Sequence, residues 1–198
     1  FCLNKAIKNL FLFISLFIAG CNDSRSSTPP ASESFFLPGR NLEGSLDRPL
    51  LYRSRVPKNW IKREPNPEES IVDTTKPNIE FYIDEDGEKI RITFYTFPID
   101  NEHPSIPPQS QISRWKGQFD EIETANTQIH PHSHGGFSGL FFEGTGLLNG
   151  ETTTVLGWSM QLALPYVRLL SKERNPSDIY QRADYTIKAS GPPSFINK

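Results

Sequence analysis

Hydrophobic and polar residues alternate most regularly in "NIEFYIDEDGEKIRITFYTFP", residues 78–98. Ile79, Phe81 and Ile83 take one side, Glu80, Tyr82 and Asp84 the other, and Ile90, Ile92 and Phe94 repeat the pattern on the return. A period of two is the strand period, and Asp86-Gly87 supplies the positive-φ turn that joins two antiparallel strands, so a β-hairpin is predicted. The period then changes. Ile112, Trp115 and Phe119 in "SIPPQSQISRWKGQFDEI" fall on one face of a helix, with prolines before it and Ser110 as its candidate cap. Gly117 lies on that helix, and its low propensity points to close packing there. "GGFSGLFFEGTG" and "ETTTVLGWSMQLAL" are rich in strand formers and are joined through Asn149-Gly150, a second hairpin signal.

The edges of this pattern are less regular. Leu50 to Arg55 reads as a first strand ended by Val56-Pro57, and Trp60 is placed to cap one end of the core. "NPEESIVDTT" is a short strand or loop between prolines, and "YQRADYTIKASGPP" adds a last strand with Ala183, Tyr185 and Ile187 on one side. The expected fold class is α+β: an antiparallel sheet of about five to seven strands with few helices, on one side.

Ahead of all this stands an apolar run. Nine of the eleven residues from Leu10 to Gly20 are Leu, Phe, Ile or Ala, and none is charged. A membrane span needs about 20 such residues. A buried helix would show a polar face, which this run lacks. Lys5 and Lys8 precede it and small residues end it, the layout of a secretory signal. Ile18-Ala19-Gly20-Cys21 resembles the bacterial lipobox, in which the cysteine becomes the first mature residue and carries the lipid. The resemblance implies multi-chain acylation of Cys21, with palmitate among the chains, and so a stable anchor. With Cys2 removed and Cys21 acylated, the mature domain has no thiol left for a disulfide. The chain starts at Phe1 rather than Met, which suggests that its true start is missing.

These readings divide the chain into a signal peptide at 1–20, a lipidated Cys21 with a disordered tether at 21–48, and a folded domain at 49–198. The tether is rich in Ser, Pro, Gly and Asn; Phe35-Phe36-Leu37 within it reads as a stray apolar patch. Loss of Lys5 and Lys8 takes the basic count from 21 to 19 against 23 acids, a mature charge of −4. With no Lys/Arg stripe as well, a nucleic-acid partner has little support.

Chemistry-bearing motifs are few. "IHPHSHGG" holds His130, His132 and His134 at alternate positions, and an extended backbone would put all three imidazoles on one side, donors suited to Zn²⁺ or Ni²⁺. Adjacent side chains of one strand seldom close a metal site alone. With Pro131 and Gly135-Gly136 beside them, the segment is taken as a solvated polar loop. "GFSGL" puts Leu140 where a nucleophile elbow needs Gly, and "DEDG" puts Tyr82 where a calcium loop needs its first acid. Arg114 and Gln118 lie four residues apart on the predicted helix, beside Trp115. Trp115 reads as core, and Arg114 and Gln118 as a polar pair that holds the helix or meets a partner.

Taken in order, "VPKNW", "KIRITFYTFP", "ISRWKGQF", "GLFFEGTG" and "KASGPP" resemble a family of uncharacterised bacterial proteins with an Arg-Trp-x-x-Gln-Phe helix. That family looks like the PsbP-type α/β/α sandwich, also used by a Ran-binding nuclear import factor, and the match covers roughly residues 50 to 193. Arg114, Trp115, Gln118 and Phe119 are its most specific piece. Members continue past the Gly-Pro with an amphipathic helix, whereas this chain stops at Lys198; the resemblance implies that the C-terminal helix is missing. It implies no active site. PsbP-like proteins act mostly as assembly or accessory factors, a binding role by analogy.

The resulting expectation is a lipoprotein of the bacterial cell envelope, anchored to a membrane through its N-terminal lipid. Its domain is non-enzymatic, a binding or assembly accessory for an unidentified protein partner, with no cofactor. A His-rich metal-binding lipoprotein is the second reading and an enzyme the third. Asn22 after the lipid cysteine, where Asp would signal inner-membrane retention, favours the outer membrane slightly.

Overall fold

The computed structural model describes residues 31–38, 50–63, 76–85, 87–97, 105–165 and 184–196. The signal segment, Cys21, most of the tether, residues 66–75, His103 and Ala183 lie outside the described residues. The strands are β1 (Ser32–Pro38), β2 (Leu50–Pro57), β3 (Ile61–Arg63), β4 (Ile79–Glu85), β5 (Glu88–Phe97), β6 (Glu121–Ile122), β7 (Gln128–His134), β8 (Phe137–Leu148), β9 (Glu151–Leu162) and β10 (Asp184–Gly191). The helices are α1 (Pro108–Lys116) and the single turn α2 (Pro193–Ile196). Among the described residues, none is long and apolar enough to cross a membrane.

The α+β class stands, as a mostly antiparallel β structure with one helix of more than a turn. The described strands exceed the expected five to seven. An eight-stranded sheet runs β3-β4-β5-β10-β9-β8, with β6 and β7 both paired to the outer edge of β8, and β1 pairs β2 separately. Part of the presumed tether is therefore a strand: Phe35, Phe36 and Leu37 lie in register with Ser54, Arg53 and Tyr52. Seven residues gain backbone partners there without needing a core of their own.

Register sorts the side chains. Ile79, Phe81 and Ile83 on β4, Ile90, Ile92 and Phe94 on β5, Ala189 on β10, and Leu156, Trp158 and Met160 on β9 share one face and form the larger core. Val56, Trp60 and Ile196 pack onto it. Trp60 is buried, as the capping role requires, with its ring 5.8 Å from that of Phe81. Asn78 locks the end of the first hairpin: its amide donates to Thr96 Oγ1 at 3.0 Å and its carbonyl accepts from Thr96 N at 2.9 Å.

The opposite face holds a smaller core, in which Ile112 and Trp115 of α1 join Phe119, Phe142 and Val155. The expectation of helices on one side needs correcting, since α2 contributes Ile196 to the larger core on the other face. The start of α1 also differs. Pro108 occupies the first turn and no side chain caps the helix, so Ser110 lies inside it. A proline there has the helical φ already and lacks the N–H that a cap would satisfy. Gly117 is the C-cap, with only carbonyl oxygens at ordinary contact distance from where a Cβ would stand. The close packing falls instead at Gly157 on β9. A Cβ there would meet Trp115 Cζ3, Cε3 and Cη2, none farther than 2.8 Å.

This contact predicts two distinct losses. Trp115→Ala should cost about 3–5 kcal/mol by emptying the smaller core. Gly157→Ala should cost about 1–3 kcal/mol by lifting the indole off the sheet. Chemical denaturation followed by tryptophan fluorescence measures both, and an unchanged midpoint in either variant would contradict the packing.

Candidate functional site

The polar half of the helix-bearing face lies beside α1. Strand β10 is central, flanked by β5 and β9, and its residues Ile187 and Ala189 face the larger core. Alternation therefore puts Lys188 on the helix side, in register with Thr93 of β5 and Gly157 of β9. Its Nζ donates to Gln118 Oε1 at 3.1 Å, and no carboxylate pairs with it among the described residues. One strand away, Arg91 pairs with Glu80 of β4, and Tyr82 Oη donates to the other oxygen of that carboxylate at 2.6 Å. Burial alone would raise the pKa of Glu80, but the hydrogen bonds from Arg91 and Tyr82 outweigh it and hold the carboxyl below its ordinary value. Arg114, exposed on α1, makes no ion pair or hydrogen bond with its side chain among the described residues.

These cations feel one another. Burial, then the charges of Arg91 and Arg114, push Lys188 down to about 8. A desolvated ammonium with one neutral acceptor is costly in a folded domain, and such groups concentrate at functional sites. Sequence reading singled out Arg114, Trp115 and Gln118, and the structure separates them. Trp115 is buried against Gly157, Gln118 lies past the end of α1 and reaches Lys188, and Arg114 faces outward. Lys188 and Arg91 were missed. Each is an ordinary cation in a β-alternation, and only the pairing of β10 with β5, far apart in sequence, makes them neighbours.

The histidine segment needs a correction. It is strand β7, not a loop, with His130, His132 and His134 opposite Phe141, Gly139 and Phe137 of β8. The positive φ of Gly135 and Gly136 closes the two-residue turn, and Pro131 is tolerated because β7 pairs only with β8 among the described residues. The extended backbone does put the three imidazoles on one face. His130 Nε2 lies 3.0 Å from Gln128 Oε1 and its ring stacks at 6.3 Å on Phe141. Burial, then the neighbouring His134, lowers His132 from its ordinary value. Among the described residues, no group of three or more His, Cys, Asp or Glu side chains is placed to hold a metal.

A third cluster holds the segment that leads into α1. Asp184, buried at the start of β10, accepts from Ser105 Oγ and from Leu162 N at 3.3 Å. Gln161 Nε2 donates to Ser105 Oγ at 2.6 Å and to Ile106 O at 3.0 Å. Burial raises the pKa of Asp184 against the pull of these bonds. The arrangement ties the segment that leads into α1 to the sheet, so it is read as structural.

A scan against protein-family models found no match, and neither the curated proteins nor the solved structures compared with the chain gave a similar one.

Two expectations follow. Lys188 titrates near 8 in the folded chain against 10.5 for an ordinary lysine. Between those values the folded state binds fewer protons, so stability rises with pH. Tyr185, raised by burial to about 12 from 10.0, opposes the rise above pH 10. Denaturation midpoints should therefore climb from about pH 8 to 10, and Lys188→Met should flatten that climb while stabilising the protein at pH 7 by about 1–2 kcal/mol. For the histidines, calorimetry with Zn²⁺ and Ni²⁺ should show weak, non-stoichiometric uptake. One metal per chain, lost on replacing His130, His132 and His134 by Ala, would establish a site.

Proposed function

We propose that the chain is a membrane-anchored bacterial lipoprotein whose domain, of PsbP-like build, serves as a non-enzymatic binding or assembly accessory. The observation that carries the anchor is the uncharged run from Leu10 to Gly20 ending at Cys21. It is too short to span and has small residues at the point of cleavage. Cell-envelope location follows from it, with Asn22 favouring the outer membrane. The PsbP-like build is supported by an antiparallel sheet carrying helical segments on both faces and by the order of the motifs from Trp60 to Pro193.

The binding role rests on the Lys188 cluster. It presents unneutralised charge at a partly open surface, with Gln118 as a neutral companion rather than a base or nucleophile. Such an arrangement selects a partner by charge, and it does not by itself break bonds.

Lipidation is tested on the full chain in a bacterial host. Cys21→Ala should reduce labelling by a clickable fatty-acid analogue to background and leave the protein uncleaved or in the soluble fraction. Equal labelling of the variant would overturn the anchor.

A further inference from the structure

We infer that Lys188, Arg91 and Arg114 form a seat for a phosphate group. The inference deepens the proposed binding role by naming what is bound, and it does not depend on the lipid anchor.

Charge accounting comes first. Register puts Arg91 of β5 two positions from Thr93, the partner of Lys188 on β10, and Arg114 stands four residues before Gln118, which touches Lys188. Glu80 is already held by Arg91 and Tyr82, and Asp84 pairs with Lys89. The next acid along β10 is Asp184, four residues and about 13 Å away by strand rise. It accepts from Ser105 and Leu162 instead. The end of α1 contributes roughly half a negative charge. The sum is about +1.5, which one neutral acceptor on Gln118 leaves standing.

The choice of anion follows from that sum. A carboxylate carries one negative charge, whereas a phosphate monoester carries about −1.5 to −2 near neutrality, together with three strong acceptor oxygens. Guanidinium groups match phosphate oxygens with paired N–H donors, and a lysine beneath them acts as a point charge. The exposures suit this division. Arg91 and Arg114 are exposed at the rim and Lys188 is half-buried between them, with two ammonium protons beyond the one given to Gln118. Such a group could come from a soluble phosphate monoester or from a phospholipid whose headgroup is itself a monoester, as in phosphatidic acid, and the chemistry recognised is the same.

The full chain in detergent micelles, with lysine labelled at the ε-carbon, tests this by nuclear magnetic resonance. Inorganic phosphate is titrated against chloride at matched ionic strength, and in a second arm the protein is reconstituted in phosphatidylcholine vesicles with or without phosphatidic acid. The expected result is a saturable shift of the Lys188 signal, with its titration midpoint rising by about one unit or more as the anion neutralises its surroundings. Calorimetry should show phosphate affinity reduced about tenfold by Arg114→Gln, an exposed change that leaves the core intact, and lost in Lys188→Met. A response to inorganic phosphate supports a soluble ligand. A response confined to phosphatidic acid supports the headgroup. No saturable response in either arm, or undiminished affinity in Arg114→Gln and Lys188→Met, overturns the seat. Neither negative result would alter acylation at Cys21, so the two readings fail separately.

Discussion

The contact on which this face depends is the indole of Trp115 laid on Gly157. Where any residue but glycine would present a Cβ, the sheet presents bare backbone, and the ring sinks onto it. That fixes how close α1 comes to β9 and which way its ends point. Ile112, Phe119, Phe142 and Val155 close around the ring, so the smaller core is built about one side chain. Cores of this size have few substitutes for a lost aromatic, because the neighbours cannot collapse into the space.

The same contact creates the electrostatic problem beside it. Lys188 lies in register with Gly157, so seating α1 there brings Gln118 within 3.1 Å of the ammonium and takes water from its surroundings. A β-strand cannot turn one residue away without turning its neighbours. Ile187 and Ala189 belong to the larger core, so position 188 must face the helix. A neutral side chain would satisfy the packing, and the lysine is therefore the feature of this face that packing alone does not account for.

Much of this was legible in the sequence wherever a period persisted. The hairpin of β4 and β5, the Asn149-Gly150 turn and the core role of Trp115 follow from alternation, positive-φ turn chemistry and helical spacing, and the structure keeps all three. The losses came where no period exists. Strands β3 and β6 have three and two residues, too few to show alternation, and β7 is exposed at almost every position, so its composition resembles a loop. Strand β7 exists because twelve-residue β8 offers an edge that a tight glycine turn can reach. The cation cluster was illegible for a different reason. Arg91, Arg114 and Lys188 are far apart in sequence, and nothing local announces that three elements bring them together.

The chain as a whole is acidic, yet its candidate site is cationic, and these facts are compatible. A net charge of −2 spread over the surface acts at long range, where salt screens it within about 8 Å under physiological conditions. The field at Lys188 is set by groups closer than that, in surroundings where burial reduces screening. An anion would gain little from steering and much from contact. Selectivity would then reside in the geometry of the rim, in how well two guanidinium groups and a recessed ammonium match the oxygens presented to them. A surface of this kind discriminates by the shape and charge of one group, and it leaves the remainder of the ligand free to be small or to belong to a membrane.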